Sequence, residues 1–250
     1  MNRSTAPCLA FLLAALPAAA GDPSAFTLDE SSVKIVNLGP AVAPCRTPSP
    51  KIGGTEGLLP ELSVIANIGQ KMWKIILNNK PVADVKTQYA TALPKGVKDW
   101  ADMAGWKPPK GTVYRLTAKN IYGATVVDIR YQVLRTTGGS YKGAGQYLTA
   151  VAIEPLLVEV AWGYRLSMEA SIIESSIVNV GTSENPVAAM TAELAWRIST
   201  PVKDSQGKAI YYLQGNGIYQ EIGAPFGRAA VDASKARIAK ASKETLTSRQ

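Results

Sequence analysis

Two tryptophans, Trp100 and Trp106, are the residues best suited to hold a ligand. They sit in an irregular stretch, residues 93–110 (LPKGVKDWADMAGWKPPK), that carries three prolines. A connection of that length inside a compact domain is uncommon and is often functional. Exposed indoles on a β scaffold can stack on the apolar faces of sugar rings, or lie at a membrane interface. The alternative is that both rings fold back as a lid over the open end of a core. The same stretch holds Asp99 and Asp102, which read either as a loop-solubilising pair or as acid–base groups lacking a visible partner. Glu159 and Glu169 share the parity of one apparent strand. About ten residues of strand would hold them roughly 33 Å apart, far beyond the roughly 5–9.5 Å used in glycoside hydrolysis.

Other chemistries are closed by composition. The chain has no histidine, so Ser-His-Asp and Cys-His nucleophilic machinery is excluded. His-bearing zinc sites go with it, and a lone mature cysteine cannot build a Cys-only one. No G-x-S-x-G, Walker A, H-E-x-x-H or EF-hand pattern occurs. Gly138-Gly139 and Gly143-x-Gly145 lack the strand-to-helix context of a phosphate loop and read as turns. The expectation is a protein with no cofactor, no metal and no catalytic residues, with Trp100 and Trp106 as its ligand-binding residues.

Residues 1–20 read as a secretory signal peptide. Asn2-Arg3 supplies a small positive end, residues 8–16 (CLAFLLAAL) an apolar run too short to span a bilayer, and Ala18-Ala19-Ala20 a small-residue cleavage site. Once the leader is cut, Cys45 stands alone, and an unpaired thiol is its expected state. No later run of about 18 apolar residues suggests a transmembrane helix. These features predict export, to the periplasm or the extracellular side. The formal net charge is +8, part of it in a basic tail at residues 224–250. Such a surface attracts anionic lipid or acidic glycan, or simply aids solubility. Nucleic acid is not an expected partner of an exported chain that carries no recognised binding motif.

The elements that must position the tryptophans are strands. In residues 112–119 (TVYRLTAK), Tyr114, Leu116 and Ala118 share one parity and Arg115, Thr117 and Lys119 the other. Residues 125–135 (TVVDIRYQVLR) repeat this with Val127, Ile129, Tyr131 and Val133 on the dry side. Residues 136–140 then read as a loop, residues 146–153 as a strand broken by Glu154-Pro155, and residues 158–168 as one long strand with Trp162 in the core. A further clean strand spans 188–198, with Met190, Ala192, Leu194, Trp196 and Ile198 inward. A turn at 203–208 follows, and residues 209–219 pair back on it, with Tyr211 and Tyr219 facing opposite to Tyr212. Residues 58–77 leave helix and strand open, and the Asn78-Asn79-Lys80-Pro81 turn favours a hairpin.

Short turns between consecutive strands favour antiparallel pairing. The predicted fold is therefore all-β: an antiparallel β-sandwich, jelly-roll-like, of roughly eight strands in residues 58–223. An extended arm (21–57) precedes it and the basic tail, a frayed helix or disordered segment, follows. An outer-membrane barrel shares the alternation but needs longer apolar bands than most runs here. The function expected of this body is non-catalytic binding at the cell envelope, to a glycan or an anionic surface. A membrane-acting, pore-forming-like β protein is the first alternative and a carboxylate-dependent hydrolase the second.

Overall fold

The computed structural model describes residues 26–41, 61–82, 88–97 and 99–223. The signal peptide, Cys45 and the basic tail lie outside these residues. In chain order the strands are β1 (Leu28–Pro40), β2 (Glu61–Asn67), β3 (Met72–Leu77), β4 (Lys80–Pro81), β5 (Ala90–Lys95), β6 (Met103–Ala104) and β7 (Lys110–Asn120). They continue as β8 (Thr125–Tyr141), β9 (Ala144–Val160), β10 (Arg165–Ile172), β11 (Val178–Asn179), β12 (Ala188–Ser199), β13 (Asp204–Gln214) and β14 (Tyr219–Gly223). The count among the described residues exceeds eight partly because β4, β6 and β11 are two-residue pieces.

The strands form two antiparallel sheets. One runs β1-β7-β8-β9-β5-β2, with β6 on β8; the other runs β14-β13-β12-β10-β3-β4, with β11 on β12. Within the segment read as an extended arm, β1 edges the first sheet against β7. Within the ambiguous residues 58–77 lie β2 and β3, and Asn78-Asn79, both at positive φ, close the short β3–β4 hairpin. The sheets face each other as a sandwich, because two tyrosine hydroxyl pairs bridge them: Tyr131 to Tyr211 at 2.6 Å and Tyr114 to Tyr219 at 2.8 Å.

Period-two alternation identifies the inner faces. Tyr114, Leu116 and Ala118 of β7, Val127 to Val133 by twos in β8, and Met190 to Ile198 by twos in β12 are all buried. Each such Val, Leu, Ile or Met side chain removed from water contributes on the order of 1.5–3 kcal/mol. Trp196 is a core residue as the pattern suggests, and Trp73 of β3 is buried as well.

Several boundaries differ from the sequence reading, each for a local reason. Residues 136–140 are not a loop. β8 continues to Tyr141 through register shifts at Thr137/Gly139 and Gly139/Tyr141, so its glycines mark bulges and the reversal falls at Lys142-Gly143. Pro155 does not break β9; it pairs with Tyr131 at a further shift, where proline's missing N–H is tolerated. Residues 158–168 are not one strand. The chain turns at Ala161–Tyr164, where the Tyr164 N–H donates to the Ala161 carbonyl at 3.2 Å and Gly163 takes φ +86°. β9 therefore ends in the first sheet and β10 begins in the second. Trp162, expected in the core, sits on the turn and is 88% exposed. Glu159 and Glu169 consequently belong to different sheets. The β12–β13 turn is at 200–203 rather than 203–208, and Tyr219 lies on β14, though it still shares the inner side with Tyr211.

The strand directions gather the turns at two opposite ends. The β7–β8, β9–β10 and β12–β13 turns lie together at one, since Val127 pairs with Val160 and Arg165 with Ser199. The β8–β9 and β13–β14 turns lie at the other, as does the tryptophan segment, because Met103 pairs with Tyr141.

Candidate functional site

Residues 93–110 are only partly irregular. Leu93 to Lys95 complete β5, and Met103–Ala104 form β6 on Tyr141 and Ser140. Between them, Trp100–Asp102 make one 3-10 turn. Asp99 caps it: its Oδ1 accepts the Ala101 N–H at 3.0 Å, the usual N-cap work of an aspartate. The Trp100 carbonyl accepts from the Met103 N–H and closes the turn. Past β6 the chain is tied down by the Lys107 N–H, which donates to the Thr137 carbonyl at 2.9 Å.

Trp106 therefore lies flat over Gly139. A Cβ built at that glycine would come within 2.3–2.4 Å of three atoms of the indole, so only glycine leaves room for the ring. Trp100 approaches Trp106 with ring centroids 6.0 Å apart and planes tilted by 58°. Both rings are half-buried and pack against the core. The predicted pair is thus brought together, with one side of its surface used as a lid and the rest open beside exposed Asp99, Asp102 and Lys107. The seat at Gly139 is legible in sequence only as a Gly-Gly dipeptide, which by itself reads as a turn.

A second concentration of polar groups was not predicted. Where β1, β7 and β14 meet, a cleft of about 560 Å³ is lined by Pro40, Lys110, Thr112, Arg135 and Tyr219 among others. The Arg135 guanidinium lies 3.8 Å from the Tyr219 ring centroid and donates to Thr112 Oγ1 at 3.0 Å. Behind it, Tyr114 stacks on Tyr131 and Tyr211 on Tyr219. Burial holds all four phenols above their ordinary range, and it pushes the nearby core residue Tyr147 up to about 12. At neutral pH these groups are protonated and act as hydrogen-bonding struts between the sheets, not as bases.

Among the carboxylates, Asp128 is bound by Arg115, which lowers its pKa below the usual range. Glu154 is different. It is 9% exposed, accepts from Gln132 Nε2 at 2.9 Å through Oε2, and its Oε1 has no hydrogen-bond partner among the described residues. Burial raises its pKa, and the Gln132 bond opposes this. A raised folded-state value means that the group's contribution to stability is fully present below the ordinary carboxylate range and is lost as pH rises through the folded value. Glu154→Gln should therefore raise the melting temperature relative to wild type at pH 7.5 and lose that advantage near pH 4. Calorimetry at the two pH values checks this, and a difference independent of pH would exclude it.

Among the described residues no three His, Cys, Asp or Glu side chains gather as metal ligands, and no helix is long and apolar enough to cross a membrane. Comparison with protein-family models, with curated proteins and with solved structures gives no match. What is shown is the class: an antiparallel two-sheet β-sandwich.

Proposed function

We propose that this chain is an exported, non-catalytic binding protein of the cell envelope, and that its ligand is a glycan held at the Trp100–Trp106 edge. One observation carries the reading. Two indoles from a single short segment lie 6.0 Å apart on a rigid sheet end, and both keep part of their surface open. Large flat apolar rings flanked by Asp99, Asp102 and Lys107 offer what a sugar needs, an apolar platform with polar groups at its rim. Trp106 is also fixed by its seat on Gly139, and both rings pack against the core, so little side-chain entropy is lost on binding. Export is supported by the leader-like residues 1–20, and the absence of histidine closes the His-dependent nucleophilic chemistries.

The test is co-sedimentation with insoluble envelope polysaccharide at low and high salt. Pelleting should survive high salt, because stacking is not screened as exposed charge is. Trp100→Leu and Trp106→Leu keep much of the apolar packing but lose the flat face. Each should weaken pelleting about tenfold, equivalent to about 1.4 kcal/mol, while thermal melts confirm the fold. Undiminished pelleting by the folded double variant would remove the reading. Pelleting that vanishes at high salt would instead identify adsorption of a cationic chain to an anionic surface.

A further inference from the structure

The end of the sandwich opposite Trp100 and Trp106 carries an apolar tip that the glycan reading does not use. Four large side chains project there from three turns: Trp162 at 88% exposure, Tyr122 at 66%, Val202 at 53% and Ile121 at 51%. One exposed apolar residue is ordinary; four on the tips of clustered turns are a patch. The turns are joined to one another. Phe26 packs on the Trp162 and Tyr164 rings at 5.5 and 6.2 Å, and the Ile121 N–H donates to the Thr27 carbonyl at 3.1 Å. A cleft of about 510 Å³ connects Trp162 with Thr200 and Pro201.

The backbone N–H groups of two of these tips, β7–β8 and β12–β13, are satisfied within the protein. Every N–H from Asn120 to Ala124 has a protein acceptor: Asn120 donates to the Ala124 carbonyl, Ile121 to Thr27, Gly123 to the Asn120 carbonyl, and Tyr122 and Ala124 to Asn120 Oδ1 at 3.1 and 2.9 Å. In the β12–β13 turn, Thr200 donates to the Lys203 carbonyl, Val202 and Lys203 donate to Thr200 Oγ1 at 3.2 and 2.9 Å, and Pro201 has no N–H. Unsatisfied N–H groups add to the cost of placing irregular chain in a poorly hydrated medium, and the donors of these two tips all have acceptors. Tryptophan and tyrosine, apolar in body and polar at one edge, concentrate at the headgroup level of bilayers. Among the described residues the charges at this end nearly balance: Lys203 is paired with Glu30 at 2.7 Å, and Lys119, Arg165 and Lys80 stand against Asp29 and Asp204, leaving one excess cation. That balance suits a zwitterionic lipid surface rather than a strongly anionic one.

We propose that this turn end is a membrane-docking surface, which lies on the interfacial layer of a phospholipid bilayer with Trp162, Tyr122, Ile121 and Val202 inserted to headgroup depth and the sandwich intact. It goes beyond the glycan reading, uses the other end of the molecule and stands or falls separately.

The experiment mixes the full chain with vesicles of brominated phosphatidylcholine, whose bromines quench only indoles that enter the bilayer. Quenching is expected in wild type, retained at high salt, and largely absent in Trp162→Phe, because the other four tryptophans are in the core or at the far end. Val202→Asp, which leaves every indole in place, should raise the lipid concentration for half-quenching about tenfold. Both sites are exposed, so folding is preserved, and thermal melts verify this. Three results would overturn the proposal: no quenching, quenching unchanged in Trp162→Phe, or quenching that requires added phosphatidylglycerol and disappears at high salt.

Discussion

Gly215→Ala should be among the most destabilising single-methyl changes in the sandwich. Gly215 binds backbone on both sides: its N–H donates to the Ala188 carbonyl at 2.8 Å, and its carbonyl accepts the Gly138 N–H, also at 2.8 Å. The second bond crosses from one sheet to the other. A Cβ there would stand 2.1 Å from the Gln146 oxygen, 2.5 Å from its carbonyl carbon and 2.8 Å from the Tyr147 nitrogen. All three are backbone atoms of β9, so no rotamer change relieves the overlap. Overpacking a tight interior costs about 1–3 kcal/mol, and a backbone obstacle puts this site at the upper end, about 3 kcal/mol. For a domain of this size that lowers the melting temperature by about 10 °C. Asn216→Ala, one residue along, removes only exposed turn bonds and should cost no more than about 1 kcal/mol. Thermal melts of the two variants make the comparison, and a Gly215→Ala midpoint within about 2 °C of wild type would contradict the close approach.

The second large effect concerns the tyrosine struts. Tyr131 and Tyr211 are fully buried, and their hydroxyls meet at 2.6 Å across the sheet interface. Tyr131→Phe leaves the Tyr211 hydroxyl without this buried partner, at a cost of about 1–3 kcal/mol, and Tyr211→Phe does the converse. The double variant removes both groups, so it should cost no more than either single change. The coupling recovered from the cycle is then about 1–3 kcal/mol. Urea unfolding of the four proteins measures it, and simple additivity would show that the pair is not a unit. The phenols also set an alkaline limit. Their folded-state pKa values are raised, so the stability they lend is complete below about pH 10 and declines as pH rises beyond it.

Alternation made the inner faces of β7, β8 and β12 readable, because burial on one side of a strand imposes a period of two. The same pattern says nothing about where a chain turns a corner. Val158 to Met168 alternates without interruption, yet it holds a turn and a change of sheet at Gly163, so the period places Trp162 in the core although it is the most exposed tryptophan. Pro155 and the Gly138-Gly139 pair looked like strand breakers for a related reason. At a bulge both are accommodated inside a ladder, and only the register of the partner strand reveals the bulge. Of the candidate site, the two tryptophans were visible by type, but Gly139 as the seat of Trp106 was not, since it lies more than thirty residues away. The tyrosine pairs join residues 80 and 105 positions apart and left no local trace.

The β8–β9 hairpin has two arms of 17 residues each, and they run from one end of the molecule to the other. At about 3.3 Å per residue each arm reaches about 55 Å, longer than the hydrocarbon core of a bilayer is thick, roughly 30 Å. A molecule standing on the Trp162 end would act as a pillar. Its Trp100–Trp106 platform would be lifted several nanometres above the lipid headgroups, at a height set by the hairpin rather than by a flexible tether. Lengthening or shortening β8 and β9 in two-residue steps, which preserves which side chains face inward, would then tune how far from a membrane the second surface can reach.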